Sequence, residues 1–340
     1  MVVMLRPAPR PLSKMRAFDD RSEPRALNRL ASMKKLLAID WGSSSMRAAL
    51  LDEAGAVLAE RSAPRGMLTI APGGFAEVFE QQVGDWMDEP GTRCLMAGMV
   101  GSKQGWVEAP YCACPAGLDE IASTLQGVDA HAVRRGHRIA IVPGVSCERD
   151  DVPDVMRGEE TQVFGALDLL GLDDGLFALP GTHSKWVTVE GGRIREFSTV
   201  MSGELYDLLR KHSILARTLG PADAAVAFDD VAFERGVGTA LHGDSLLQTA
   251  FSVRTLALFG RMSAEALASY LSGLVIGEEL RCRPLPPGSK VAVVGAPALA
   301  RRFERALGLA GVASVLLGDE AAWRGLHVLH ARARALFPEA

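Results

Sequence analysis

The sequence predicts an α/β protein of two similar domains, each a mixed sheet with helices packed on it, facing each other across a cleft. Three observations carry that prediction. A three-stranded antiparallel meander opens the regular part of the chain, its outline recurs in the second half, and strands alternate with helices after each copy. Length agrees, since 340 residues is too many for one core at about 150 residues per domain.

The first meander begins after Lys34. Residues 36–39 form a short apolar strand ending at Asp40, the turn Trp41-Gly42-Ser43-Ser44-Ser45 follows, and residues 46–51 return as a second strand. Asp52-Glu53-Ala54-Gly55 has hairpin chemistry, and residues 56–60 make the third strand. A helix is predicted over 75–87, where Phe75, Val78, Phe79, Val83 and Trp86 share one face. Buried strands are predicted at 94–99 and 138–142, with a weaker helix near 118–125 between them.

In the second half, residues 176–179 are the apolar strand and Gly181-Thr182-His183-Ser184 the polar turn. Residues 185–189 pair back, Glu190-Gly191-Gly192 makes the hairpin, and 193–200 is the third strand. Helices are predicted at 203–213 and 263–281. A strand at 290–294 leads through Gly295-Ala296-Pro297 into a helix to about Leu309, and a strand at 312–316 and a helix at 320–336 close the chain. The expected division is a disordered extension over 1–33, a first domain over 34–172 and a second over 173–340.

Composition narrows the function. Forty-one acidic against 37 basic side chains leave a formal charge of −4, which excludes a nucleic-acid binder working through bulk positive charge. No apolar run approaches the roughly 20 residues of a membrane span. Cys94, Cys112, Cys114, Cys147 and Cys282 are too few and too scattered for a disulfide framework, and Cys112-x-Cys114 has no partner pair at zinc spacing. They read as ordinary thiols of a reducing cytoplasm. The first 33 residues carry six arginines and several prolines, but Asp19, Asp20 and Glu23 argue against a transit sequence.

The two turns suggest phosphate. In Asp40-x-Gly42-Ser43-Ser44-Ser45, successive amides and three hydroxyls can converge on one anion, and Asp40 offers a hard oxygen suited to Mg²⁺ directly or through water. Gly181-Thr182-His183-Ser184-Lys185 offers the same amides and hydroxyls with an added ammonium. Each string alone is also found in plain turns; the force lies in their matching places. Neither a Walker-type loop nor a Gly-x-Gly-x-x-Gly after a strand is present.

Here the residues carry a resemblance. Ala38-Ile39-Asp40-Trp41-Gly42-Ser43-Ser44 resembles the first phosphate motif of the actin, sugar kinase and Hsp70 superfamily, whose two domains are ribonuclease H-like. Pro180-Gly181-Thr182-His183-Ser184-Lys185-Trp186 resembles its second, and Val293-Val294-Gly295-Ala296-Pro297-Ala298-Leu299 its adenosine motif. More narrowly, Met96-Ala97-Gly98-Met99-Val100-Gly101-Ser102, Met156-Arg157-Gly158-Glu159-Glu160-Thr161-Gln162 and Leu271-Ser272-Gly273-Leu274-Val275-Ile276-Gly277 are similar to the 2-dehydro-3-deoxygalactonokinase family. The resemblance runs from about Met33 to the C-terminus. One departure stands out: many members of the superfamily carry an acid just before the second Gly-Thr turn, and Pro180 stands there here.

The resemblance implies ATP and Mg²⁺ as cofactors, a keto-sugar-acid as the small-molecule substrate, and phosphorylation of the C6 hydroxyl of 2-dehydro-3-deoxy-D-galactonate. Nucleic acid and membrane are not expected partners, and the oligomeric state is left open, a homodimer included. Glu159 and Glu160 open a helix, where carboxylates also simply favour the dipole. Related kinases place a catalytic acid after a glycine in this segment, which favours Glu159 over Glu160 as base. Ser102, Lys103 and Trp106 lie in the loop that related kinases use to contact the acceptor, and Arg157 borders the base. Lys103 could equally be a solvated charge and Trp106 core. Alternatives are a kinase of another hexose, aldonate or amino sugar, a non-catalytic sugar sensor, and a filament or chaperone ATPase.

Overall fold

A computed structural model describes residues 35–89, 91–129, 138–219, 227–286 and 288–333. The expected disordered extension over 1–33 lies outside these residues. Short apolar runs joined by tight turns build the first meander, β1 (Leu36–Trp41) and β2 (Met46–Leu51), both largely buried, with the mostly exposed β3 (Val57–Ala63), each antiparallel to its neighbour. Helix α1 (Phe75–Val83) follows, its buried Phe75, Phe79 and Val83 spaced for one face. It gives way at Gly84 to a 3₁₀ turn that completes the predicted 75–87 segment.

Strand β4 (Arg93–Ala97) runs parallel to β1. After it come β5 (Tyr111–Ala113), β6 (Ala116–Gly117), α2 (Leu118–Ser123), β7 (Gln126–Gly127) and β8 (Arg138–Ile141). The first sheet has the order β3-β2-β1-β4-β8-β7. A hairpin, β9 (Gly144–Arg149) and β10 (Val152–Met156), then pairs with β5 in a separate three-stranded sheet. Helix α3 (Glu159–Leu170) ends the first half.

The second sheet repeats the first. Its meander is β11 (Gly175–Leu179), β12 (Ser184–Glu190) and β13 (Arg193–Val200). Helices α4 (Ser202–His212), α5 (Asp230–His242), α6 (Leu246–Thr249), α7 (Ser252–Leu258) and α8 (Ala264–Arg281) intervene, α8 apolar on nearly all sides and buried as such a helix must be. Then come β14 (Lys290–Val294), α9 (Pro297–Leu309), β15 (Ala313–Leu317) and α10 (Glu320–Arg332). The end of the predicted terminal helix, at Leu336, lies outside the described residues. The order is β15-β14-β11-β12-β13-β6, with β14 parallel to β11 and β15 parallel to β14. Five strands of each sheet therefore share the 3-2-1-4-5 order with strand 2 antiparallel to the other four, the ribonuclease H-like arrangement of actin, sugar kinases and Hsp70, and β7 and β6 each add an antiparallel edge.

The halves are joined through packed helices. Helices α3 and α10 cross so closely that a Cβ on Gly165 would stand 1.8 Å from the Ala321 oxygen, and one on Gly325 1.8 Å from that of Thr161. One apolar core runs from Leu36 and Leu95 of the first sheet through Val163 and Leu326 on the two helices to Phe177 and Val187 of the second. Helix α10, assigned by sequence to the second domain, thus packs against α3 and β1 of the first. Strand β6 crosses the other way and pairs with β13.

Candidate active site

The duplicated sheets bring the carboxyl ends of five parallel strands to one place, where open α/β sheets place their ligands. Strands β1, β4, β11, β14 and β15 end just before Gly42, Gly98, Gly181, Gly295 and Gly318, and all five glycines line one cleft of about 380 Å³. That is the size of a small-molecule site.

The first turn is held rigidly. The Gly42 amide donates to the Ser45 carbonyl (3.0 Å), while the Met67 and Leu68 amides donate to the Gly42 and Ser43 carbonyls from outside. Gly66 presses on the turn, where any Cβ would lie 2.3 Å from the Ser44 backbone. Asp40, Gly42 and Ser43 line the cleft; Ser44 and Ser45 are exposed and do not. Asp40 is paired across the β1–β2 ladder with Arg47 (2.5 Å), whose other nitrogen pairs with Asp319 at the start of α10. Arg47 therefore braces the turn against the second half.

Gly181, Thr182 and His183 enter the cleft from the opposite side, joined by Gly295 and Ala296. His183 Nε2 meets Glu204 Oε2 at 2.6 Å, and the Glu204 amide donates to the Thr182 carbonyl (2.9 Å). Ser184 is buried, its hydroxyl 3.1 Å from that of Ser202. Lys185 also turns inward: its ammonium donates to the Val155 carbonyl (2.9 Å) and the Thr199 hydroxyl (2.7 Å). Lys185, expected at the phosphates, therefore does not line the cleft, its ammonium being taken up by Val155 and Thr199.

The acids sit where α3 meets the end of β4. Gly98 (φ +95°) and Gly158 (φ +110°) both occupy the region that favours glycine, and a Cβ on Gly158 would reach 3.1 Å from the Gly98 Cα. This contact delivers the first turn of α3 to the cleft. Glu159 lines it, with Oε2 accepting the Arg157 amide (3.0 Å). Burial pushes its carboxyl above the ordinary range, opposed chiefly by the Lys185 ammonium. Glu160 is fully buried and turned away, both oxygens accepting the Gly158 amide at 2.8–2.9 Å. Burial and the neighbouring Glu159 push it up to about 8. Of the two acids, only Glu159 faces the cleft.

The substrate-loop candidates divide. Ser102 is buried with its hydroxyl on the Met67 sulfur (3.2 Å), and Lys103 is exposed; neither lines the cleft. Trp106 does not line the cleft; partly buried, it stacks on Phe75 at 6.5 Å and packs against Phe79 (5.6 Å) and Trp41 (6.3 Å). The loop folds back through the Trp106 amide donating to the Val100 carbonyl (2.8 Å), which carries the indole inward. Arg157 does line the cleft. It is 8% exposed, lies over the Tyr111 ring at 4.3 Å and donates from Nη2 to the Ala109 carbonyl (2.8 Å), while Nε and Nη1 are buried without a hydrogen-bond partner among the described residues.

Met99, Gln162 and Asp319 also line the cleft and were not singled out from the sequence. Gln162 had a signal, since it stands three residues after Glu159 on the same helix face. Asp319 had a weaker one, as the acid following a glycine at a strand's carboxyl end. Among the described residues, no group of three or more His, Cys, Asp or Glu could cage a metal. A Mg²⁺ ion that keeps several waters and takes one or two carboxylates together with substrate phosphates would not need such a group. Asp40 is the carboxylate on the cleft beside the first turn. No helix among the described residues is long and apolar enough to cross a membrane.

Comparison with known proteins agrees with this geometry. Residues 40–329 match the 2-keto-3-deoxy-galactonokinase family. The chain is 38% identical over 308 residues to a probable 2-dehydro-3-deoxygalactonokinase of Rhizobium meliloti (strain 1021), covering 88% of this chain and 97% of that protein. It is 34% identical over 301 residues to the 2-dehydro-3-deoxygalactonokinase of Escherichia coli (strain K12), covering 87% and 98%. A crystal structure from Sinorhizobium meliloti with the same kinase designation superposes with a TM-score of 0.79 at 36% identity, over 89% of this chain and all of the other. With its duplicated sheets, its paired turns and these relatives, the chain belongs to the 2-keto-3-deoxy-galactonokinase family.

Proposed function

We propose that this protein is an ATP-dependent kinase that phosphorylates the C6 hydroxyl of 2-dehydro-3-deoxy-D-galactonate. The observation that carries the reading is the convergence of the Gly42–Ser43 and Gly181–Thr182 turns on one cleft whose wall also holds Glu159. The turns grip the triphosphate from both sides through backbone amides and the hydroxyls of Ser43 and Thr182, with the adenosine toward Gly295 and Ala296. Asp40 would hold Mg²⁺ through water, and the metal when bound would supply charge neutralisation for the phosphates. Glu159 accepts the proton as the acceptor oxygen bonds to the γ-phosphorus and the bridge to the β-phosphate breaks. Its raised affinity for a proton suits that task, since a base is most effective with its pKa nearer the working pH.

Arg157 receives the acceptor's carboxylate. Its guanidinium is a buried cation on the cleft wall beside Glu159, and a carboxylate is the group such a cation pairs with through charge-assisted hydrogen bonds. The test is ADP release with 2-dehydro-3-deoxy-D-galactonate, its gluconate epimer and neutral hexoses. The galactonate should have the highest kcat/KM, and Arg157→Gln should raise its KM by about tenfold or more with little effect on KM for MgATP. Preference for a neutral hexose, or a KM for the acid indifferent to Arg157, would contradict the assignment.

A further inference from the structure

Behind the second turn lies a buried acid that the proposed reaction does not use. Glu279, on α8, is 4% exposed, and its Oε1 accepts the Trp186 indole N–H at 2.7 Å while Oε2 is buried without a hydrogen bond. The hydroxyls of Ser184 and Ser202 face the same carboxyl, and burial pushes it above the ordinary carboxylate range against these three groups. An apolar residue would fill this face of α8 without desolvating an acid. Retaining one requires another account.

The partners supply it. Trp186 lies on β12 two residues beyond Ser184, at the exit of the turn, and Ser202 opens α4. Helix α4 is in turn fastened to the turn itself, because the Glu204 amide donates to the Thr182 carbonyl (2.9 Å). Gly203 lies so close that a Cβ there would stand 2.3 Å from the Gly181 oxygen. Glu279 thus holds the strand leaving the turn through the indole and stands beside the hydroxyl that opens the abutting helix.

We infer that Glu279 is a positioning residue for the nucleotide, holding the turn at Gly181 and Thr182 in its anion-binding shape through the Trp186 indole, with the Ser184–Ser202 hydroxyl pair beside it. The inference rests on the reading that this turn receives the phosphates of ATP, so Thr182→Ala serves as a separate control.

In the full-length protein, Glu279→Leu should raise KM for MgATP about tenfold and change KM for the sugar acid less than about twofold, the loss expected of a hydrogen bond to a charged group. Glu279→Gln, which keeps an acceptor for the indole and gains a donor for a serine hydroxyl, should recover most of that loss. Ser202→Ala should raise KM for MgATP by about threefold and decides the matter if Glu279→Leu does not fold. Unchanged nucleotide KM in the Ser202 and Glu279 variants, with Thr182→Ala raising it, overturns the positioning role alone. Unchanged nucleotide KM in all of them, Thr182→Ala included, overturns the phosphate reading as well. Equal rises in both KM values, unrelieved by glutamine, also overturn it, since they mark Glu279 as a general packing residue.

Discussion

Replacing Glu159 by glutamine isolates proton acceptance from position. Glu159 is the first residue of α3, and its Oε2 accepts the Arg157 amide at 3.0 Å, a contact the glutamine carbonyl can keep. The amide is nearly isosteric, and it removes a carboxylate that burial already disfavours in its charged form. Folding should therefore be little changed, as should the two turns that hold ATP. What disappears is the proposed acceptor for the hydroxyl proton. General-base contributions of about 10²-fold or more correspond to about 2.7 kcal/mol or more of lost transition-state stabilisation. The assay is coupled ADP release with saturating sugar acid, alongside KM for MgATP and a thermal melt. We expect kcat to fall by about 10²-fold or more, with KM for MgATP within about twofold and an unchanged melt. Wild-type turnover in the variant would remove Glu159 from the proton's path, whatever its place on the cleft wall.

Three further predictions follow from the same geometry. Asp40→Ala should raise the Mg²⁺ concentration needed for half-maximal activity by about tenfold or more, the effect of removing a group that orients a metal's water shell; an unchanged Mg²⁺ titration would remove Asp40 from the metal. Trp106→Ala should cost about 3 kcal/mol in urea unfolding, because it opens a hole among Trp41, Phe75 and Phe79, while leaving both KM values near wild type. A selective rise in sugar-acid KM would restore the ring to the substrate. Glu160, with a folded pKa of about 8 against about 4.3 unfolded, binds its proton more tightly in the native state. Its stabilising contribution is therefore full below the unfolded value and is lost as pH rises to about 8, so wild-type unfolding free energy should decline across that window. In Glu160→Gln the decline should be flattened, and an identical pH profile would show that Glu160 carries its charge in the native state.

The duplicated meanders were legible because their signals are local: apolar strands, small polar turns and glycine hairpins recur in one order. Residues that such local patterns place on a turn proved separable only by the tertiary fold. Ser184 and Lys185 belong to the same motif string as Gly181 and Thr182, yet strand β12 begins at Ser184 and takes both side chains out of the cleft. Glu159 and Glu160 are consecutive on a helix, so they point about 100° apart; which one meets the cleft depends on how Gly158 abuts Gly98. Strands β5, β6 and β7 run only two or three residues, too short to show a period, and β10 is mostly exposed along its length. Trp106 was ambiguous because a loop tryptophan carries no periodicity, and only the fold-back at Val100 puts it among the aromatic rings.

On the proposed function, two glycine turns from opposite sheets share a single triphosphate. A crystal structure of the full chain with a non-hydrolysable ATP analogue and Mg²⁺ tests it most directly. The phosphates should lie between the Gly42–Ser43 and Gly181–Thr182 amides, with the terminal phosphorus facing Glu159. A triphosphate bound against one turn only, or outside the cleft between the sheets, would rule out the shared grip.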